Sequence, residues 1–500
     1  MLIARRVVAA VAAAVAAAGC TATTGGHADG GRSPASIPFI DCTQTLRERG
    51  AAIPADLTIG CGKLQVPLDY ANPARGSITL AMVRIHAASN TDPVGSLLIN
   101  RGGPGASDLA FAIGTALQVA PSVLGEYDVI GFDPRGVEAS SPVRCLTDAQ
   151  KDRVRAETID VTTPAGFAAA ERDSRRLSAL CARRVGSALP YYNTVSTARD
   201  MDRIRQALGE DRINYLGYSY GTELGWTYAH LFPGRVRAFV LDGAVDPDAS
   251  DVKMLMSQVG GFEKAFDQFA RACPTMSSCA GLADPRAAVR KITSTALKTP
   301  LPTGTPRRLT TSLAFGGITA ALYSKSQWST LADSLKQALR GNGAGLLQLA
   351  DNEQERQRNG RYTNLFDANI TISCNDDAYR PTDAQLHASI ARLVHRFPLF
   401  GRWQASSLFS CLGWRAKPTP VPTPAARTPT TVLVLGNLND PATPYHGAVD
   451  LTRDLGNARL LSWNGAGHTS YLRGSGCVDR YVNTYLLTLR LPPQGKTCPA

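Results

Sequence analysis

The chain has 500 residues, 44% hydrophobic and 19% charged, with 45 Gly, 31 Pro and 11 Cys; it can bury a large core and is neither disordered nor a coiled coil. Its formal charge is +12, but the basic residues are scattered, without a run or interleaved aromatics, which argues against a nucleic-acid surface. The longest apolar run, Val7 to Ala18, has 12 residues against the ~20 that a membrane-crossing helix needs, which excludes a multi-span membrane protein.

That run follows Arg5 and Arg6 and ends in Ala17, Ala18, Gly19 and Cys20. A positive start, a short apolar stretch and small residues before a cut make a secretory signal. The cysteine at the cut resembles a bacterial lipobox, so residues 1–19 are expected to be a lipoprotein signal and Cys20 the lipid attachment point, with Ala17 where Leu is commoner. Residues 20–41, with a stretch rich in Gly, Thr and Ser, then form a flexible tether. The other ten cysteines are an even set without a CxxC pair, which suits disulfides in an oxidising compartment better than zinc. Nearest-neighbour pairing would join Cys42 with Cys61, Cys145 with Cys181, Cys273 with Cys279, Cys374 with Cys411 and Cys477 with Cys498, although spacing alone does not fix connectivity. The expected location is the cell envelope.

From Gly76 onward, apolar runs of strand length alternate with helical stretches. Strands are expected at Ile78 to Ile85, Ser96 to Asn100 and Tyr127 to Phe132, a helix at Thr197 to Leu208, and a strand at Ile213 to Tyr218. A helix from Gly221 to Phe232, stopped by Pro233, leads to a strand from Val236 to Leu241. This alternation predicts an α/β fold with a mostly parallel sheet flanked by helices. After Val245 the rhythm stops, leaving helical candidates such as Phe262 to Cys273 and Gln327 to Leu339. A proline-rich stretch from Pro418 to Pro429 reads as a stiff linker. The rhythm resumes with strands at Thr431 to Gly436 and Arg459 to Trp463 and a closing helix at Val478 to Leu489. The expected organisation is a catalytic core in two parts, residues 42–247 and 428–500, split by a helical insertion at 248–427.

Gly217-Tyr218-Ser219-Tyr220-Gly221 lies between an apolar strand and a helix. Glycines there permit a tight strand-to-helix turn that lifts the serine hydroxyl above the sheet edge. A serine hydroxyl needs a base to remove its proton, and the base needs a carboxylate to orient it. Of seven histidines, His468 in Gly465-Ala466-Gly467-His468 follows a late strand and fits the base. Asp440 is the only acidic residue in the loop after the preceding strand, so Ser219, Asp440 and His468 are expected to form a triad in that chain order. The turn Arg101-Gly102-Gly103-Pro104-Gly105 follows another strand, and its Gly103, or Gly102, amide is expected to share an oxyanion with the Tyr220 amide. Thr443 is expected to shape the acid loop or touch substrate. There is no HExxH helix or clustered ligand set, so neither a metal nor an organic cofactor is expected.

These residues, together with Gly-Phe-Asp-Pro-Arg-Gly from Gly131 to Gly136 and Asp440-Pro441-Ala442-Thr443-Pro444, resemble the actinobacterial tripeptidyl-aminopeptidase group of α/β-hydrolases. The layout with a lipoprotein signal is similar to that of mycobacterial cell-envelope serine hydrolases. The resemblance implies an α/β-hydrolase fold, an insertion that acts as a lid, and Asp133 and Arg135 fixing loops beneath the site. It implies release of short peptides from a free N-terminus, with hydrolysis of small acyl esters by the same triad as the alternative; a monomer is expected. An exopeptidase needs a carboxylate to receive the substrate ammonium; Asp376, Asp377 and Glu223 are the candidates.

Overall fold

The computed structural model describes residues 36–247 and 249–500; the signal segment and Cys20 lie outside the described residues. Eight strands of five residues or more make the sheet: β1 Leu57–Pro67, β2 Ser77–Ala87, β3 Gly95–Asn100, β4 Tyr127–Phe132, β5 Ile213–Tyr218, β6 Val236–Asp242, β7 Val432–Asn437 and β8 Ala458–Trp463. Their spatial order is β1-β2-β4-β3-β5-β6-β7-β8, with two-residue strands, Ile40–Asp41 and Thr497–Cys498, at the two edges. β1, β2 and β4 pair antiparallel, and every pair from β4 through β8 is parallel. β5 and β7 are buried along their whole length, as parallel strands covered on both faces must be, which is why they read as unbroken apolar runs.

β1 is the strand that the apolar-run reading misses. Its sequence LTIGCGKLQVP interrupts apolar residues with Gly, Lys and Gln, because it lies near the edge of the sheet; its eleven-residue register with β2 holds it there.

The strand order reverses between β3 and β5. From β3 the chain moves to β4 on one side, and from β5 it moves to β6 on the other. Connections diverging from two neighbouring parallel strands leave a crevice beyond their carboxyl ends, where ligands bind in open α/β sheets. Asn100 pairs with Gly217 across that boundary, so the Arg101–Gly105 turn and the Ser219 turn emerge side by side.

Between β6 and β7 runs a layer of helices, including Asp251–Ala272, Thr311–Leu322, Trp328–Leu339, Ala344–Glu353 and Leu365–Asp376. It has its own apolar core around Phe266, Phe269, Ile318 and Leu335. This layer is not confined to residues 248–427: Phe167 and Ala170 of helix Pro164–Val185 belong to the same core. The proline-rich stretch is strapped to the core, with Trp226 Nε1 donating to the Pro422 carbonyl (3.3 Å) and Thr419 N to the Asn375 carbonyl (2.6 Å). All five nearest-neighbour cysteine pairs are disulfides. No helix among the described residues is long and apolar enough to cross a membrane.

The Gly131–Gly136 stretch ties loops together below the crevice. The fully buried Arg135 grips Asp200 with Nε (2.7 Å) and Nη2 (2.6 Å), and donates to the carbonyls of Leu68 (3.0 Å) and Tyr191 (2.9 Å). Asp133 accepts from Ser107 Oγ (2.7 Å) and from the amides of Asp108 (3.0 Å) and Ala139 (3.0 Å). Removing one partner of a buried ion pair strands the other charge. Asp200→Ala should therefore lower the free energy of unfolding by about 3 to 5 kcal/mol, measured by urea denaturation; a loss within experimental error would show that the carbonyls alone satisfy Arg135.

Candidate active site

Ser219 stands between β5 and helix Tyr220–Leu231 with φ 57° and ψ −125°. A non-glycine residue rarely adopts a positive φ, and such strain is held only where the surroundings fix it. Here the Ser219 amide donates to the Asp242 carbonyl at the end of β6 (2.9 Å), and the Thr222 amide closes the turn onto the Ser219 carbonyl (2.8 Å). The result is a hydroxyl presented above the carboxyl end of the sheet.

Gly102 comes closest to this turn. A Cβ at residue 102 would stand 2.9 Å from Ser219 Cβ and 3.1 Å from the Tyr220 amide nitrogen, at a φ of +95°, so only glycine fits. The Gly102 amide donates to Asn100 Oδ1 (3.1 Å) and the Arg101 amide to Asp108 Oδ1 (2.6 Å). Among the described residues the Gly103 and Tyr220 amides have no acceptor, which selects Gly103 over Gly102 as the free donor of the turn. Helix Leu365–Asp376 pins the turn from above, with Asn369 Nδ2 donating to the Pro104 carbonyl (3.1 Å).

Asp440 and His468 meet across the ends of β7 and β8. His468 Nδ1 lies 2.8 Å from Asp440 Oδ1 and 3.0 Å from Oδ2. The buried carboxylate also accepts from the amides of Ala442 (2.9 Å), Thr443 (2.9 Å) and Thr469 (2.9 Å). A carboxylate fixed by three amides is held in place to orient the imidazole and to stabilise it when charged. The acid and histidine loops are laced together, Asn437 Nδ2 reaching the Gly467 carbonyl (2.6 Å) and Asn439 Nδ2 the Gly465 carbonyl (2.6 Å).

Two features of this centre are not readable from sequence motifs. Asp242 is fully buried, and its Oδ2 accepts the amides of Ser470 (2.9 Å) and Tyr471 (2.7 Å), fixing the chain just past His468. Burial pushes its carboxyl up to about 6, against the pull of those amides. Tyr323, from the helical layer, accepts the His468 amide on its carbonyl (2.8 Å) and sets its ring edge-on to the imidazole at 5.4 Å.

The remaining candidates separate. Thr443 is part of the acid–base junction, its Oγ1 3.4 Å from His468 Nδ1, so it shapes the acid loop. Asp377 is turned into its own loop, accepting the Tyr379 amide (2.7 Å). Asp376 accepts the amide (2.9 Å) and hydroxyl (2.6 Å) of Thr194, whose hydroxyl also meets the Tyr220 hydroxyl (2.5 Å). Glu223 sits one helical turn beyond Ser219, and side chains in a helix lean back toward its N-terminus. Its carboxylate has no hydrogen-bond or ion-pair partner among the described residues. Burial, with Asp376 nearby, pushes Glu223 up to about 8, and burial pushes Asp376 up to about 7. Glu353, which no sequence signal singled out, lies within electrostatic reach of the base: burial raises its carboxyl, while Arg101 and His468 act electrostatically to lower it. Among the described residues no group of His, Cys, Asp and Glu is arranged to hold a metal ion.

The chain belongs to the alpha/beta hydrolase fold family, which matches residues 95–475, and it is a serine hydrolase. It is 38% identical over 458 residues to the serine protease Hip1 of Mycobacterium tuberculosis, covering 88% of this chain and 87% of that one. It is also 38% identical over 455 residues to carboxylesterase B of the same organism (88% and 86% covered). The tripeptidyl aminopeptidase of Streptomyces lividans is 32% identical over 457 residues (88% and 83% covered).

The His468 ring leaves no room behind it. A Cβ on Gly243 would stand 3.3 Å from His468 Cε1, 3.1 Å from Thr443 Oγ1 and 3.0 Å from Thr469 Cγ2, at a φ of +69°. Displacing a reacting group by an ångström costs ~10²-fold. Gly243→Ala should thus lower kcat by about that factor with an unchanged far-UV circular dichroism spectrum; wild-type turnover would mean that the imidazole is free to shift.

Proposed function

We propose that this serine hydrolase is an exported aminopeptidase-type enzyme that cleaves short peptides through an acyl-enzyme. Ser219 Oγ attacks the scissile carbonyl as His468 takes its proton, and the oxyanion forms between the Gly103 and Tyr220 amides. His468 then gives the proton to the leaving amine, and water, activated by His468, releases the acyl group from Ser219. Asp440 orients the imidazole and stabilises it when charged. Asp440→Asn should cut kcat by roughly 10⁴, read by stopped assays against a fluorophosphonate-titrated wild type; near-normal turnover would place the acid elsewhere.

The observation that carries the peptidase reading is the enclosed carboxylate pair beside the nucleophile. Glu223 has no counter-charge, Asp376 is held by Thr194 alone, and a substrate ammonium would supply the missing cation. Because both carboxyls are raised, they are protonated at mildly acidic pH and gain charge only as pH rises through about 7 to 8. For a free-amine tripeptide amide, KM should fall across that window and rise again as the substrate amine (~8) loses its proton. The N-acetylated twin should be a poor substrate throughout, and Glu223→Gln should raise KM for the free amine at least ~10-fold. Equal cleavage of the two peptides would point to an endopeptidase.

The second reading is a carboxylesterase acting on short acyl esters, favoured by the equal identity to a protein named carboxylesterase B. Turnover of such esters with no peptide cleaved would decide for it. The lipobox-like sequence around Cys20 supports an enzyme lipid-anchored in the cell envelope; Cys20→Ser should move the protein from the membrane to the soluble fraction.

A further inference from the structure

The helical layer encloses a cavity of about 490 Å³ whose lining includes Phe315, Tyr323 and Phe366. Tyr323 joins it to the catalytic centre, since the same ring packs against His468. Among the described residues Arg155 is the one basic residue in this lining, beside Glu157, Asp173 and Glu353.

Arg155 stands in the last turn of helix Asp148–Ala156, with its guanidinium 4.4 Å from the centre of the Phe366 ring. Among the described residues it meets no carboxylate or carbonyl within hydrogen-bonding distance. The other enclosed arginines near the crevice are paired, Arg135 with Asp200 (2.6 Å) and Arg101 with Glu355 (3.0 Å). Burial draws the Arg155 guanidinium down to about 10, with Tyr362, Glu353 and Asp367 opposing, so it stays charged at neutral pH. A planar fork of N–H donors without a protein acceptor is open to a ligand, and a carboxylate satisfies two donors at once.

Its position relative to the chemistry follows from Tyr323 and Glu353. Both line the cavity; the Tyr323 ring packs against His468, and Glu353 lies within electrostatic reach of both His468 and Arg155, so the cavity adjoins the base. His468 protonates the leaving group, so this is the leaving-group side of the cut.

We propose that Arg155 binds the C-terminal carboxylate of a short peptide whose leaving segment lies in this cavity. The proposal rests on the peptidase reading above and deepens it: the enzyme reads both ends of its substrate, the ammonium beside Glu223 and the carboxylate at Arg155. Because Glu157, Asp173 and Glu353 also line the cavity, it holds no net positive charge. A small inorganic anion gains little there, and the site favours a carboxylate carried on an apolar body that packs against the aromatic wall.

The test uses the full exported chain and pentapeptides of one sequence that end in a free carboxylate or a carboxamide. The quantity read is the acid-to-amide ratio of kcat/KM for wild type, Arg155→Met and Arg155→Lys, with thermal unfolding as the check on folding. Wild type should prefer the acid by at least ~10-fold, since hydrogen bonds to charged groups are worth ~1.5–3 kcal/mol. Arg155→Met should bring the ratio close to one, and Arg155→Lys should restore part of it. A wild-type ratio near one, or a preference that survives in Arg155→Met, overturns the proposal. A parallel pair of esters separates this outcome from failure of the peptidase reading: the butyrate esters of 3-(4-hydroxyphenyl)propionic acid and of its amide. If no peptide is cut, a preference for the acid ester that is lost in Arg155→Met still supports an anion subsite on the leaving-group side, and equal turnover of the two esters rejects it.

Discussion

The centre depends on one short junction, the end of β6 at Asp242 and Gly243. The Asp242 carbonyl holds the amide of the strained Ser219, its carboxylate holds the chain beyond His468, and the missing side chain of Gly243 makes the space in which the imidazole stands. Two segments far apart in sequence, the Ser219 turn and the chain from His468 to Tyr471, are set by these two residues, so their relative positions do not depend on loop stiffness. Such pre-organisation lets a hydroxyl that is a weak nucleophile in water act on a carbonyl.

Around this junction the electrostatics are built from groups that burial leaves short of partners. Asp242, Asp376, Glu223 and Glu353 are all pushed up by burial. The groups differ in what they face. Asp242 is closed in by backbone amides and works on the protein itself, whereas Glu223 lacks a protein counter-charge and Glu353 lines the cavity within electrostatic reach of Arg101, His468 and Arg155. Perturbed acids with no structural partner mark functional ground more reliably than acids in complete pairs such as Asp200 with Arg135.

Much of this was legible in the sequence. Parallel strands buried on both faces read as continuous apolar runs, so β3 through β8 stood out, and the chain order of Ser219, Asp440 and His468 fitted the carboxyl ends of β5, β7 and β8. The disulfides followed the simplest pairing. The edge strand β1 did not show, because Gly60, Gly62 and Lys63 break its pattern. Arg155, Tyr323 and Glu353 did not show either: each sits in a helix or a helix-end turn with no motif around it, and only tertiary packing gathers them around one cavity. Nor could the sequence tell that helix Pro164–Val185 shares a core with the later insertion, since that contact joins two stretches with β5, β6 and the nucleophile turn between them.

The antiparallel bridge between Ser324 and Gly467, with the His468 amide on the Tyr323 carbonyl, makes the helical layer part of the base's own support. A hinged cover could swing away and leave the chemistry below it unchanged, but this one cannot. Any motion large enough to lift residues 323 and 324 withdraws a hydrogen bond and a ring from the imidazole, so access and competence are thermodynamically linked, and linkage is reciprocal. Whatever orders His468 thus also favours the seated position of residues 323 and 324, and whatever displaces them weakens the support of the base.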